Sequence, residues 1–410
     1  MKPYAWVPSL YFAEAVPYMA VMVLSTIMYT RLGLSNTELA LYTSWLYLPW
    51  VIKPLWSPLV DALRTKRWWI LSMQILVGAS LAGVAFSLSL PAWLQWSLAF
   101  FWLMAFSSAT HDIAADGFYI LALNQEEQAL YVGIRSTFYR IGSIFCQGAL
   151  VVLAGLLEQH TSIGTAWQTT MACMAALMVL VAAWHRWALP CPEQEERQAT
   201  PFLTSLGETF VSFWQKPALL PAVLFMLLFR LPEAQLAKMA QPFMLRATSE
   251  GGLGLDTATV GVAYGTIGVI GLLAGGILGG WLVSRHGLKR WLWPMVLSIS
   301  LPDAVYVYLA SFQPTNIFII DACVAVEQLG YGFGFTAYSL FMVYFARGEK
   351  STSVFSLCTA LQALGMMIPG MWAGWLADEW GFTNFFLWVC GCTLVTFFVS
   401  AFVRMPQNNK

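Results

Sequence analysis

Charge is scarce in this 410-residue sequence: only 10% of its residues are Asp, Glu, Lys or Arg, against about a quarter in soluble domains, while 59% are hydrophobic. With a mean hydropathy of +0.65, the shortage excludes a water-solvated globular protein. The 21 basic and 21 acidic residues cancel, so no net field draws nucleic acid or an anionic surface to the chain. Cysteine pairing is also lacking. The seven cysteines, at 146, 173, 191, 323, 358, 390 and 392, make no C-x-x-C motif and no zinc-type Cys/His set, which excludes a disulfide framework and a metal centre of that kind. No G-x-x-x-x-G-K-[ST] loop occurs, so the chain has no Walker A site of its own for ATP. No cofactor is called for, and energy is expected from an ion gradient.

Apolar runs fill the space these absences leave. A spanning helix needs about 20 apolar residues, and the hydropathy pattern predicts twelve. They fall near 4–30, 36–59, 68–90, 92–122, 131–157, 165–189, 218–247, 256–283, 291–311, 316–346, 352–377 and 383–404. The fold class is therefore an all-α membrane protein. The first run passes the length of a signal-peptide core and lacks a small-residue cleavage site, so it reads as a retained helix. Placing the N-terminus inside puts 14 of the 21 basic residues in cytoplasmic loops, as the positive-inside bias requires. Both termini are then cytoplasmic.

Long polar stretches are limited to one, residues 190–217, which reads as a cytoplasmic linker between a six-helix bundle at 1–189 and another at 218–410. An offset of 223 superimposes Lys66, Arg67 and Trp68 on Lys289, Arg290 and Trp291, Glu126 on Glu349, and Gly142 on Gly365. Two six-helix pseudo-repeats explain the coincidence. Such repeats mark secondary transporters, with a substrate site near the bilayer midplane between the halves.

Ionisable groups at membrane depth cost roughly 2.5–3.5 kcal/mol each on insertion scales, so each is a functional candidate. Asp112 and Asp116 lie four residues apart, on one helical face. Burial and like-charge repulsion both favour the neutral form of one of them, as a proton carrier requires. The alternative is a fastening pair held to the next helix, with Arg140 as one partner. His111 reads as a protonatable pathway group or an interhelical contact. Its H-x-x-x-x-D spacing to Asp116 also occurs in acyltransferases, an enzyme reading that lacks an acyl-donor pocket. Glu14, beside the Pro17 bend, reads as a further proton or substrate site or as an outward-opening helix break solvated by water. Arg140, Arg230 and Lys53 are cations suited to an anionic cargo, Arg through its bidentate fork. Glu233 and Lys238 follow Arg230 closely enough to neutralise that helix, and Glu327 must find a cation in space. The glycines at 271, 275, 276, 279 and 280 form a small-residue ladder for close helix packing.

Several of these motifs together resemble a known family. Asp61, Arg64, Lys66 and Arg67 after the second span, and Arg285, Lys289 and Arg290 after the eighth, resemble the signature loops of the major facilitator superfamily. Lys53, Trp56, Ser57, Pro58 and Asp61 resemble the K-x-x-W-S-P-x-x-D of its AmpG-like muropeptide permeases, which are grouped with acetyl-CoA transporters. Ser108, Asp112 and Asp116 resemble that family's S-A-S-Q-D-I-x-x-D. Tyr139, Arg140 and Gly142 match its Y-R-x-G, Arg230 and Glu233 its basic-x-x-acidic segment, and Glu327 its E-N-L-x. His111 in place of Gln, the added Glu14, and Gly117-Phe118 in place of Ala-Trp depart from the pattern.

The resemblance implies the major facilitator fold and proton-coupled import, across a bacterial inner membrane, of a peptidoglycan-derived amino sugar such as N-acetylmuramic acid, or of an anhydro-muropeptide. It implies no enzyme activity. Expected roles are proton coupling for Asp112, Asp116, Glu14 and His111. Substrate binding falls to Arg140, Tyr139, Arg230, Glu233, Lys53 and Glu327, with gating by Asp61, Arg64 and Arg285. Expected partners are a small-molecule substrate, protons and the lipid bilayer, with no nucleic acid, and the chain is expected to be a monomer. A siderophore or drug permease of the same fold is the first alternative, and the membrane-embedded acyltransferase using His111 and Asp116 the second.

Overall fold

In a computed structural model of the chain, residues 2–191, 202–348 and 351–403 are described, apart from the side chains of residues 61, 62 and 202–206. Among them every regular element is helical: α1 (Pro3–Arg31), α2 (Asn36–Trp45), α3 (Leu48–Leu63), α4 (Lys66–Ser87), α5 (Trp93–Ala122), α6 (Gln125–Glu158), α7 (Ile163–Ala188), α8 (Phe202–Trp214), α9 (Leu219–Leu245), α10 (Thr257–His286), α11 (Leu288–Phe312), α12 (Ile317–Ala346) and α13 (Ser351–Phe402).

Helices lie at every one of the twelve expected places. Among the described residues nine helices are long and apolar enough, by length and composition, to cross a membrane, and one of them, α13, spans two of the twelve places. The set omits α5 and the α2–α3 pair, which breaks at Leu46 and Tyr47. The 52-residue α13 leaves helical geometry at Gly381, φ 74°, between the eleventh and twelfth runs of the sequence. Polar caps set several starts. Ser35 with Glu38 and Asn124 with Glu127 form capping boxes, and Thr65, Ser162 and Asp256 each accept a backbone N–H of the first turn, which satisfies amides that the helix leaves unpaired. One helix departs from expectation: α8 occupies part of the segment read as linker, and residues 192–201 of that segment lie outside the described set.

The chain divides into two compact units, Met1–Met28 with Ile52–Leu206, and Tyr29–Val51 with Gly207–Lys410. In the first, α4 packs on α5 and α7, and α1 on α6, over a core of Trp6, Ile70, Phe118 and their neighbours. In the second, α12 packs on α10 and α11, and α13 on α9 and α2, over Phe225, Phe229, Tyr338 and Phe341. The glycine ladder forms a seam there. A Cβ on Gly271 would stand 2.9 Å from the Ala325 carbonyl oxygen, and one on Gly275 would strike the Leu329 carbonyl. Gly280 has no neighbour within 4 Å and takes no part. Gly142 and Gly365, matched by the repeat offset, do equivalent jobs in the two units. A Cβ at Gly142 would lie 2.8 Å from the Phe12 oxygen on α1, and one at Gly365 2.6 Å from the Leu227 oxygen on α9.

Candidate functional site

The first unit gathers charge from four helices. Asp112 and Asp116 share a face of α5, but they do not stand as an isolated pair. Lys53 of α3 donates a short hydrogen bond to Asp112 Oδ2. Arg135 Nη2 of α6 donates to Asp116 Oδ1 at 2.8 Å, and the Tyr11 hydroxyl of α1 donates to the same oxygen at 3.2 Å. The Arg135 guanidinium also lies over the Tyr11 ring at 4.5 Å and the Tyr119 ring at 5.0 Å. Glu14 reaches the same cluster from α1, and its Oε2 is buried with no hydrogen-bond partner among the described residues.

Two expectations change here. The arginine that fastens α5 to the next helix is Arg135, not Arg140. Arg140, expected to be buried, is exposed, five residues further along α6. Tyr139 is half-buried and packs against the core of this unit.

His111 belongs to a separate network. Gln74 of α4 binds His111 Nε2 at 3.0 Å through its amide nitrogen and His185 Nδ1 of α7 at 2.8 Å, while His185 Nε2 meets Ser9 Oγ of α1 at 2.9 Å. With the Gln74 nitrogen as donor, His111 Nε2 accepts, which leaves the ring proton on the unpartnered Nδ1. Gln74 and His185 were not singled out in the sequence, although both are fully buried polar groups at 0% exposure. No hydrogen bond joins His111 to Asp116 among the described residues, so the acyltransferase dyad is not assembled.

In the second unit Arg230 sits where α9 breaks, at φ −101° and ψ 20°. Its Nη2 donates to the Tyr331 hydroxyl, and the guanidinium lies 4.8 Å from the Phe335 ring centre and 5.3 Å from that of Tyr331. The ion pairs expected within this helix are not made among the described residues. Lys238 Nζ donates to Thr43 Oγ1 at 2.9 Å, Glu233 makes no ion pair with Arg230 or Lys238 among the described residues, and Glu233 Oε2 has no partner. Glu327 finds an amide in place of a cation: Gln328 Nε2 donates to its two oxygens at 3.0 and 3.3 Å. Beside it stand Glu233 and Asp303, the three carboxylates offering oxygens within 4.8 Å of one another. Asp303 was missed in the sequence, although Pro302-Asp303 inside the ninth apolar run was the available signal.

Among the described side chains the expected gate residues form no latch. Arg64 and Arg285 are exposed, with guanidinium carbons 5.7 and 4.3 Å from the Trp68 and Trp281 rings of their own neighbourhoods. The side chain of Asp61 lies outside the described set. A tie of the expected kind occurs elsewhere, at the α2 start. Asp378 accepts from Asn36 Nδ2 at 2.8 Å, from the Thr37 amide at 2.8 Å and from the Thr37 hydroxyl at 2.6 Å. Arg246 donates to Asn36 Oδ1 at 3.3 Å and to the Leu34 carbonyl. Asn36, Arg246 and Asp378 line a cleft of about 280 Å³.

Comparison with known proteins places this geometry in a family. The sequence profile described as Major Facilitator Superfamily matches residues 9–370. The chain is 28% identical over 350 residues to the anhydromuropeptide permease of Escherichia coli (strain K12), covering 82% of this chain and 67% of that one. It is 25% identical to a Rickettsia conorii transporter designated AmpG 4, covering 92% and 90%. Among solved structures, the nucleoside transporter NupG superposes with a TM-score of 0.74 at 15% identity over 99% of this chain and 100% of that one. A D-xylose-proton symporter superposes at 0.71 and 12% identity over 98% and 96%.

Proposed function

The chain belongs to the Major Facilitator Superfamily, a multi-pass membrane transporter for a small molecule and not an enzyme, and from that premise we propose that it is a proton-coupled importer of a peptidoglycan-derived amino sugar or anhydro-muropeptide. It works by alternating access in the bacterial inner membrane. In this reading the chain crosses the membrane twelve times as two six-helix repeats, 1–189 and 218–410, joined by a cytoplasmic linker at 190–217. Both termini are cytoplasmic and the protein is a monomer. The name of the Escherichia coli relative and the AmpG designation of the Rickettsia one support the cargo class.

The observation that carries the coupling mechanism is the pairing of each α5 carboxylate with its own cation while Glu14 keeps an unpartnered oxygen. A proton arriving at this cluster enters at Glu14 and passes to Asp112, whose neutral form no longer holds Lys53. The freed ammonium then takes the cargo's carboxylate. Deprotonation on the inner side restores the Lys53–Asp112 bond and expels the anion. His111 borders this path. Arg140 and Tyr139 serve the first repeat's cargo contacts. In the second, Arg230, already oriented by Tyr331 and Phe335, offers its remaining N–H groups to an anionic group, with Glu233 and Glu327 for hydroxyl and amide donors. Arg64, Arg285 and Asp61 gate the cytoplasmic side.

Uptake of labelled N-acetylmuramic acid, anhydro-muropeptide and a ferric siderophore in one transport-deficient host tests the reading. Accumulation of a cell-wall sugar that collapses when a protonophore is added is expected. Accumulation of the siderophore alone would transfer the chain to the other permease class.

A further inference from the structure

The acids of the second unit are arranged unlike those of the first: three of them crowd one place that the chain itself leaves incomplete. Glu233, Asp303 and Glu327 are 3%, 2% and 2% exposed, and their oxygens lie within 4.8 Å of one another. Glu233 Oε2 and Asp303 Oδ1 have no hydrogen-bond partner among the described residues, and the hydroxyl of Tyr306 is fully buried next to Glu327. Leaving one buried polar atom unpaired costs about 1–3 kcal/mol, and more if it is charged. Two such atoms on neighbouring carboxylates require a partner that no described side chain supplies.

Charge and donor type say what the partner is. Arg230 is the cation beside Glu233, since Lys238 is turned to Thr43 and the Tyr47 ring, and one positive against three negative charges leaves two uncompensated. The donors are all oxygens, the set preferred by hard cations such as Ca²⁺, Mg²⁺ and Mn²⁺. Gln328 fixes the Glu327 carboxylate by donating to it and bridges onward to the Tyr264 hydroxyl at 3.2 Å, as outer groups commonly orient metal ligands.

The backbone agrees. Three helices lose regular α geometry at this level: α9 at Arg230, α10 through the π-turn Ala263–Gly268 that carries Tyr264, and α11 through the 3-10 turn Leu301–Asp303. Broken helices at membrane depth are tolerated where they are buried in protein or line a site, and discontinuous helices frame the ion sites of secondary transporters.

We propose that Glu233, Asp303 and Glu327, completed by the Tyr306 hydroxyl, bind one hard divalent cation in the second unit. Glu233 and Glu327 also face cargo in the transport reading, so the test uses the purified full-length protein with no cargo present. After chelator treatment, equilibrium dialysis with ⁴⁵Ca²⁺ and spin-resonance titration with Mn²⁺ should each give one saturable site per chain. Glu233→Gln, Asp303→Asn and Glu327→Gln, which keep side-chain volume, should each weaken it at least tenfold. Glu126→Gln, at the exposed start of α6, should leave it unchanged. Absence of saturable binding, or equal affinity in all the variants, overturns the proposal. So does a protonated-carboxyl infrared band in the wild type that Glu327→Gln removes, because protons would then be neutralising the acids. None of these outcomes touches the proton-driven uptake assay, so the two readings can fail separately.

Discussion

The two units solve the same electrostatic problem in opposite ways. In the first, each half-buried carboxylate of α5 has a cation from another helix, Lys53 for Asp112 and Arg135 for Asp116. In the second, three carboxylates lie together, and the one guanidinium near them is directed to an aromatic hydroxyl and two rings. Paired charges can exchange partners when a proton arrives, which suits a coupling device. Unpaired acids around an oriented arginine are a receptor that waits for something to fill it. The same fold thus carries one centre whose α5 carboxylates are paired with cations and one whose clustered acids are not.

Asp112→Asn should break the contrast most severely. It removes the partner of Lys53, and pH-driven accumulation should fall to background while cargo counterflow persists in part. The stability loss should stay below the ~3–5 kcal/mol of a fully buried pair, because the two side chains retain 19% and 24% exposure. Retained accumulation in both Asp112→Asn and Asp116→Asn would make the α5 pair purely structural.

Gly142→Ala and Gly365→Ala sharpen what the units share. Each forces a methyl onto a backbone oxygen of the facing helix, an overpacking of about 1–3 kcal/mol. Equal losses in thermal-melting experiments on the purified protein are expected, and a cost at only one site would separate the repeats. Arg230→Lys keeps the charge but loses the planar fork that meets Tyr331 and Phe335. Cargo affinity should drop about tenfold, roughly 1.4 kcal/mol, in a binding titration with the transported sugar acid. Arg140→Lys should have the smallest effect, a weakening below that of Arg230→Lys, since the side chain is exposed. Unchanged affinity would remove Arg140 from the cargo site.

Much of the fold was legible because lipid imposes a single solution on the backbone. A run of some 20 apolar residues has to close its own hydrogen bonds as a helix, so the twelve places of helix could be read from hydropathy. The glycine ladder was legible for a similar reason, small residues at helical spacing having few other uses. Pairings were not. Nothing in spacing distinguishes Arg135 from Arg140 as the partner of Asp116, because one helical turn and its rotation decide which guanidinium reaches the carboxylate. Gln74 and His185 were silent, since an amide and a lone imidazole look alike on a lipid-facing or a buried side. Asp303 was passed over because it becomes remarkable only when Glu233 and Glu327 arrive beside it from helices far along the chain. The tie of Asp378 to Asn36 and Thr37 joins residues more than 340 positions apart, beyond any local pattern.

By itself, then, the sequence determined the solvent of this protein, its helical backbone and the short roster of charges that membrane depth makes costly. Those follow from composition and periodicity, which act on each segment independently of the others. Only the tertiary structure decided which charges are satisfied and which are left in want of a partner. That depends on distances of a few ångströms between helices, and the energy of a buried charge changes over just that range.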